Sequence, residues 1–175
     1  MVAGPPVEAF GPDSIAQRIE DTLYGRWWEA VNASDFVGVQ AYFRILVDAT
    51  GIVPAPPGAE MTGAGYEYHP QALGEAIRLA ARRTAKPIFV TESGIGTDDD
   101  ARRAAWLDAS VAEVERCVAN GIDVKSYIYW SLLDNFEWTQ GYGQNFGLVS
   151  VDRDSFTRQM KPSARHFANL IGSRR

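Results

Sequence analysis

The sequence predicts an α/β fold built on a short parallel sheet, and three observations predict it. Runs with helical spacing alternate with short apolar runs of strand character, the connections between them are mostly short, and two of the later strand-like runs end in carboxylate, aromatic or glycine residues. The first two features belong to right-handed βαβ units. The third puts chemically capable groups at the C-terminal ends of buried strands, where α/β proteins keep their active sites.

Residues 1–12 are rich in Pro and Gly and are expected to form a loop or a ragged start to a domain covering 13–175. From Asp13-Ser14, a helix N-cap signal, Ile15, Ile19, Leu23, Trp27 and Val31 recur at helical spacing and predict a helix over 14–31 with one apolar face. Residues 35–42 read as a buried strand, followed by a Gly/Pro-rich loop over 48–68 of the kind that often carries function. A second helix is expected over 70–84 with Pro70 in its first turn, and a second strand over 87–91. A third helix runs through 100–120 to the stop signal Asn120-Gly121, and a third strand covers 124–130. Residues 146–151 and 156–160, separated by Asp152-Arg153-Asp154-Ser155, predict a hairpin, and 162–171 a closing helix. Three parallel strands, and no more, are expected.

Composition narrows the function. At 175 residues with 46% hydrophobic content the chain can bury a sizeable core. No run approaches the roughly 20 apolar residues of a membrane span. The start lacks the basic region and apolar core of a secretory signal, so a cytoplasmic protein is expected. A net charge of −5, with basic residues clustered only in doublets such as Arg82-Arg83 and Arg102-Arg103, argues against nucleic acid as a partner. One cysteine, Cys117, excludes an intrachain disulfide. His69 and His166 are far apart and form no metal-ligand cluster, and no cofactor is expected. The five Trp and seven Tyr suit stacking on sugar rings as well as filling a core.

Glu92 is the first candidate for chemistry. In Phe89-Val90-Thr91-Glu92-Ser93-Gly94 it ends a buried strand beside a hydroxyl and a glycine turn, which would hold it rigidly and partly desolvate it, as a nucleophile at an anomeric carbon requires. A glutamate in such a place also caps loops or pairs with arginine, and the short motif alone does not choose. The later segment Trp130-Ser131-Leu132-Leu133-Asp134-Asn135-Phe136-Glu137-Trp138 adds two indoles and a second carboxylate. Either indole could also be ordinary core.

Together these segments resemble the C-terminal part of a retaining β-glucosidase of glycoside hydrolase family 1. The resemblance implies strands six to eight, with their helices, of a (β/α)8 TIM barrel, and it implies roles for particular residues. Glu92 would be the nucleophile, with Ser93 standing where the family usually has asparagine. Trp130 would be an apolar platform under the sugar at the non-reducing end, Glu137 would accept hydrogen bonds from its distal hydroxyls, and Trp138 would donate its indole N–H to a neighbouring one. Relatives acting on phosphorylated sugars lack that acidic group, which would repel a phosphate, so a neutral β-glycoside or oligosaccharide is implied. In Gly38-Val39-Gln40-Ala41-Tyr42-Phe43-Arg44, Tyr42 matches a tyrosine that bonds the nucleophile, while Ala41 and Phe43 depart from the family's pattern. Gln40 would line the pocket, or satisfy core or solvent. Phe146 matches an aromatic near the sugar's primary alcohol, or packs only. Asp134 and Asn135 would shape their loop. Residues 100–107 and 161–165 resemble scaffold segments, and His166 reads as a surface or packing residue.

The family's second carboxylate, the acid/base in a Thr-x-Asn-Glu-Pro motif, has no counterpart in the sequence. A retaining enzyme needs its two carboxyls about 5 to 5.5 Å apart, and a complete barrel typically needs about 250 residues. Part of a barrel would leave two sheet edges and an inner face uncovered. The expectation is therefore a β-glucosidase-like hydrolase fragment, either truncated or completed by a second chain, with a noncatalytic carbohydrate-binding or interaction fragment as the alternative.

Overall fold

The computed structural model describes residues 14–173 together with the backbone of residues 2–3. Its elements in chain order are β1 (Val2–Ala3), α1 (Ile15–Glu20), α2 (Arg26–Asn32), β2 (Val37–Gln40), β3 (Ile45–Asp48), β4 (Gly51–Val53), α3 (Ala72–Arg83), β5 (Ile88–Ser93), α4 (Asp100–Ala119), β6 (Val124–Tyr129), β7 (Val149–Val151), β8 (Arg158–Met160) and α5 (Pro162–Gly172). The central sheet is the expected one, three parallel strands in the order β2-β5-β6. Each crossover is a helix, α3 between β2 and β5 and α4 between β5 and β6.

Side-chain alternation divides this sheet into two faces. Val37, Val39, Ile88 and Val90 point to the helices and close on Leu73, Ile77, Ala80 and Cys117, all buried. Each aliphatic side chain fully withdrawn from water there contributes about 1.5–3 kcal/mol. A second cluster, Ile95, Trp106, Leu107, Tyr129 and Leu148 with Phe167, fastens α4 and α5 to the end of β6. Local signals set the helix limits. Asp99 caps α4 by accepting from the amides of Ala101 and Arg102, and Gly121 takes the left-handed conformation (φ +81°) just past its end. Pro162 sits in the first turn of α5. Asp100 accepts from both the amide and hydroxyl of Ser163, which joins the starts of α4 and α5.

Four expectations are corrected. The helix over 14–31 is interrupted by a π-turn, Asp21–Gly25, so it divides into α1 and α2. The wider turn advances the buried stripe by one residue. Leu23 and Trp27 are exposed as a result, and Trp28 packs against the core instead. The region 48–68 is not all loop. Near its start β4 pairs antiparallel with β3, which ends at Asp48, with Asp48 bonding Thr50 in the turn and Gly51 at φ +131°. The parallel strands are not limited to three, since β1 pairs parallel with β3 in a small second sheet. That strand lies within the region expected to be loop, whose other residues, like Asp13, lie outside the described ones. The late hairpin is also shorter than expected, three residues on each strand. Phe146 to Leu148 belong to the loop before it, because their amides and carbonyls bond to Ser131 and Lys161.

Candidate active site

The C-terminal ends of β2, β5 and β6 converge. Glu92 sits at the end of β5, half-buried, and the strand register sets Gln40 beside it. The Ala41 amide bonds the Glu92 carbonyl at 3.1 Å, continuing the ladder past β2 and bringing Tyr42 to the same carboxylate. Gln40 Nε2 donates to Glu92 Oε1 at 2.8 Å, and the Tyr42 hydroxyl donates to Oε2 at 2.6 Å. Both oxygens are therefore held, and the carboxylate is oriented before any ligand arrives. Hydrogen bonds to a charged group contribute about 1.5–3 kcal/mol each. The Tyr42 phenol is held far above its ordinary value of 10, first by burial and then by its bond to Glu92 and the negative charges of Glu92 and Glu137. It stays a neutral donor throughout the ordinary pH range.

The close approach of β5 and β6 continues past both strands. Trp130 donates its amide to the Ser93 carbonyl at 2.9 Å, and Gly94 lies against the Trp130 carbonyl so tightly that a Cβ there would collide with it. Glycine after the nucleophile candidate is thus a packing requirement. Ser93 is fully buried and its side chain does not enter the cleft. The Trp130 indole donates to Glu137 Oε1 at 3.2 Å. Trp138 is 94% exposed. Phe146 is buried and meets the Tyr42 ring edge-on at 6.0 Å, forming the wall behind the phenol.

Gln40, Tyr42, Glu92, Trp130, Glu137, Trp138 and Phe146, the seven residues singled out in the sequence, line one open cleft of about 290 Å³. That is near the lower end of small-molecule sites. An eighth, Tyr66, was not foreseen. It comes from the loop between β4 and α3 and stacks on Phe43, with centroids 4.5 Å apart and planes 22° from parallel. The available signal was an aromatic beside Gly65 in a loop already suspected of function. Asp134 shapes its loop by accepting from the Gly147 amide (2.7 Å) and Lys161 (3.0 Å), and Asn135 bonds Ser131. His166 pairs with Asp108 across the exposed α4–α5 surface, away from the cleft.

The sequence profile of glycosyl hydrolase family 1 matches residues 27–175. The chain belongs to this family. A β-galactosidase of Saccharolobus solfataricus is 32% identical over 161 residues, covering 83% of this chain and 32% of that protein. A 1,4-β-D-glucan glucohydrolase of Thermotoga neapolitana is 31% identical over 177 residues, covering 93% and 39%. Among solved structures, apo β-glucosidase 1317 superposes with a TM-score of 0.88 at 44% identity, over 99% of this chain and 43% of that one. A β-glycosidase from Pyrococcus horikoshii gives 0.82 at 25% identity, over 97% and 47%. The family 1 neighbours are (β/α)8 barrels, and this chain is part of one. It spans about a third of the length of the first curated relatives. No helix among the described residues is long and apolar enough to cross a membrane.

Proposed function

We propose that the chain is the C-terminal portion of a retaining β-glycosidase, supplying strands six to eight, the nucleophile and most of the sugar-binding site. The observation that carries this reading is the carboxylate of Glu92, held on both oxygens by Gln40 and Tyr42 at the end of a parallel strand and opening into an aromatic cleft. In the proposed reaction a Glu92 oxygen bonds to the anomeric carbon as the glycosidic C–O bond breaks, and the leaving oxygen takes a proton from an acid. Water then gives a proton back to that acid's conjugate base as its oxygen bonds to the anomeric carbon and Glu92 leaves as carboxylate, so two inversions give net retention. The two bonds to Glu92 position the attacking oxygen.

Trp130, Trp138 and Glu137 are assigned to the sugar, the indoles to its C–H face and edge and the carboxylate to paired hydroxyls. An acidic group there favours a neutral glycoside over a phosphorylated one. The acid/base is assigned to the part of the barrel this sequence does not span, on the same or a second chain. Glu137 is a poor substitute, because the Trp130 indole engages it. That engagement also favours a second reading, in which the chain alone binds sugar without cleaving it.

A mechanism-based label tests the assignment. An activated 2-deoxy-2-fluoro β-glucoside should add one glycosyl mass to the peptide containing Glu92, and labelling of any other residue would overturn the role. Hydrolysis of an aryl β-glucoside, lost in Glu92→Gln, would place catalysis in this chain. Saturable binding without hydrolysis would support the second reading.

A further inference from the structure

Tyr66 faces the cleft from a tight turn, residues 62–66, that belongs to no helix or strand. Inside the turn the Thr62 amide bonds the Tyr66 carbonyl at 2.7 Å, the Gly65 amide bonds the Thr62 carbonyl, and Gly65 takes φ +79°. Such a turn has a fixed shape but no fixed place. Contacts outside it supply the place: the Tyr66 ring stacks on Phe43, the neighbouring Glu67 pairs with Arg44, and two bonds reach other loops. The Gly63 amide donates to the Gly96 carbonyl at 2.8 Å, on the loop that follows Glu92. Gln140 Nε2 donates to the Ala64 carbonyl at 3.2 Å from the loop that carries Glu137 and Trp138.

The junction leaves little room. A Cβ on Gly63 would lie 2.9 Å from both the Gly96 carbonyl oxygen and Gln144 Oε1, and one on Gly96 would lie 2.8 Å from the same Gln144 oxygen. Gln140 itself sits in a closed turn, since Glu137 and Gly141 exchange both amide-to-carbonyl bonds at 2.8 and 2.7 Å. Gln140 thereby links the Glu137 loop to Ala64, two residues before Tyr66. Tyr66 also borders a second hollow of about 240 Å³, where Phe43, Ile52 and Met61 present mostly apolar surface. Its ring stands between the cleft and that hollow.

We propose that Gln140 is a positioning residue that ties Tyr66 to the sugar-binding loop, so that this tether sets selectivity for the group attached to the anomeric oxygen. The proposal rests on the glycosidase reading for its functional half and not for its structural half. Gln140 touches neither substrate nor Glu92 and acts through the Ala64 carbonyl. A well-placed Tyr66 offers an aromatic face to an aryl group and nothing to a methyl group.

The test uses the whole chain and two variants of similar size. Gln140→Leu removes the donor, and Gln140→Glu sets a negative oxygen against the Ala64 carbonyl. Amide hydrogen exchange over 62–66 should quicken about fivefold in Gln140→Leu, the loss of one ordinary hydrogen bond, and more in Gln140→Glu. Exchange over β5 and β6 should stay as in the parent. Unchanged exchange at 62–66, or an equal rise throughout the chain, would overturn the tether. Binding of phenyl and methyl β-glucoside, followed by tryptophan fluorescence, reads the functional half. The preference for phenyl over methyl should fall about fivefold in Gln140→Leu while the methyl glucoside affinity holds. Parent binding with an unchanged preference would overturn the positioning role. If the parent binds neither glycoside, the glycosidase reading fails while the exchange result still decides the tether.

Discussion

The two faces of the central sheet are built to different degrees. Toward the helices, Val37, Val39, Ile88 and Val90 meet a closed layer of aliphatic side chains from α3 and α4. Toward the other side, Phe36 and Phe89 pack on each other at 4.8 Å but Phe36 stays half-exposed, and Ile128 is 52% exposed. Strands β2 and β6 are edges in this sheet. The cleft lies at the strand ends between the two faces, and its carboxylate is nevertheless held, because Gln40 and Tyr42 reach Glu92 from β2 and its continuation, beside β5. A carboxylate can thus be oriented locally, by strand pairing, on a sheet whose other face is open. Packing and chemistry are separable here, and substitutions on either face should have different readouts.

The largest expected effect is at the cleft. Glu92→Gln should lower turnover of an aryl β-glucoside by at least about 10³-fold, as loss of an enzymic nucleophile commonly does, while leaving the urea midpoint close to the parent's. Loss of fold in this variant would mean that the carboxylate is structural. On the packed face, Ile77→Ala deletes fully buried methyl groups at the centre of the main core. It should cost about 2–5 kcal/mol of unfolding free energy, read by urea denaturation, and a cost under about 1 kcal/mol would show that this face is less closely packed than it looks.

Tyr42→Phe comes next and touches both sides of the comparison. Removing the 2.6 Å bond to Glu92 should lower kcat/KM by about 1.5–3 kcal/mol, roughly 10- to 150-fold. The phenol's raised pKa gives this a pH signature. The folded state keeps the proton above pH 10 whereas the unfolded chain releases it near 10, so the tyrosine's proton-linked stability is complete below pH 10 and lost as pH rises beyond it. The stability difference between parent and variant should therefore narrow above pH 10, and a difference that widens there would contradict a raised value.

What was legible in the sequence follows from how far each feature depends on its neighbours. The helix stop at Gly121 and the helix start at Pro162 are local and were read directly. Glu92 was readable as a carboxylate at a strand end, but Gln40, Tyr42, Trp130, Glu137, Trp138 and Phe146 entered mainly through resemblance to a family. The π-turn at Asp21–Gly25 was hidden, because Ile15 to Val31 fit an uninterrupted helix equally well. Pairing of β1 with β3 joins residues some forty positions apart and leaves no local periodicity. The place of Tyr66 in the cleft was hidden for the same reason. Its place depends on Gly63 meeting Gly96 and on Gln140 meeting Ala64, contacts between loops with no repeating pattern.

The smallest expected effect on stability is on the open face. Ile128 alternates with Tyr127 and Tyr129, whose rings pack against Phe167 of α5, so its side chain leaves the sheet on the opposite side. In a chain whose inner face meets water, Ile128→Lys should change unfolding free energy by no more than about 0.5 kcal/mol, the ordinary range for exposed positions. The same lysine should reduce self-association in sedimentation, since it sets a charge beside the unpaired edge strand β6. If it instead costs more than about 2 kcal/mol, Ile128 is covered in solution, because a lysine incurs such a penalty only when its ammonium group is withdrawn from water. The open face would then already be occupied by another protein surface, and the contrast between the two sides would belong to the separated chain alone.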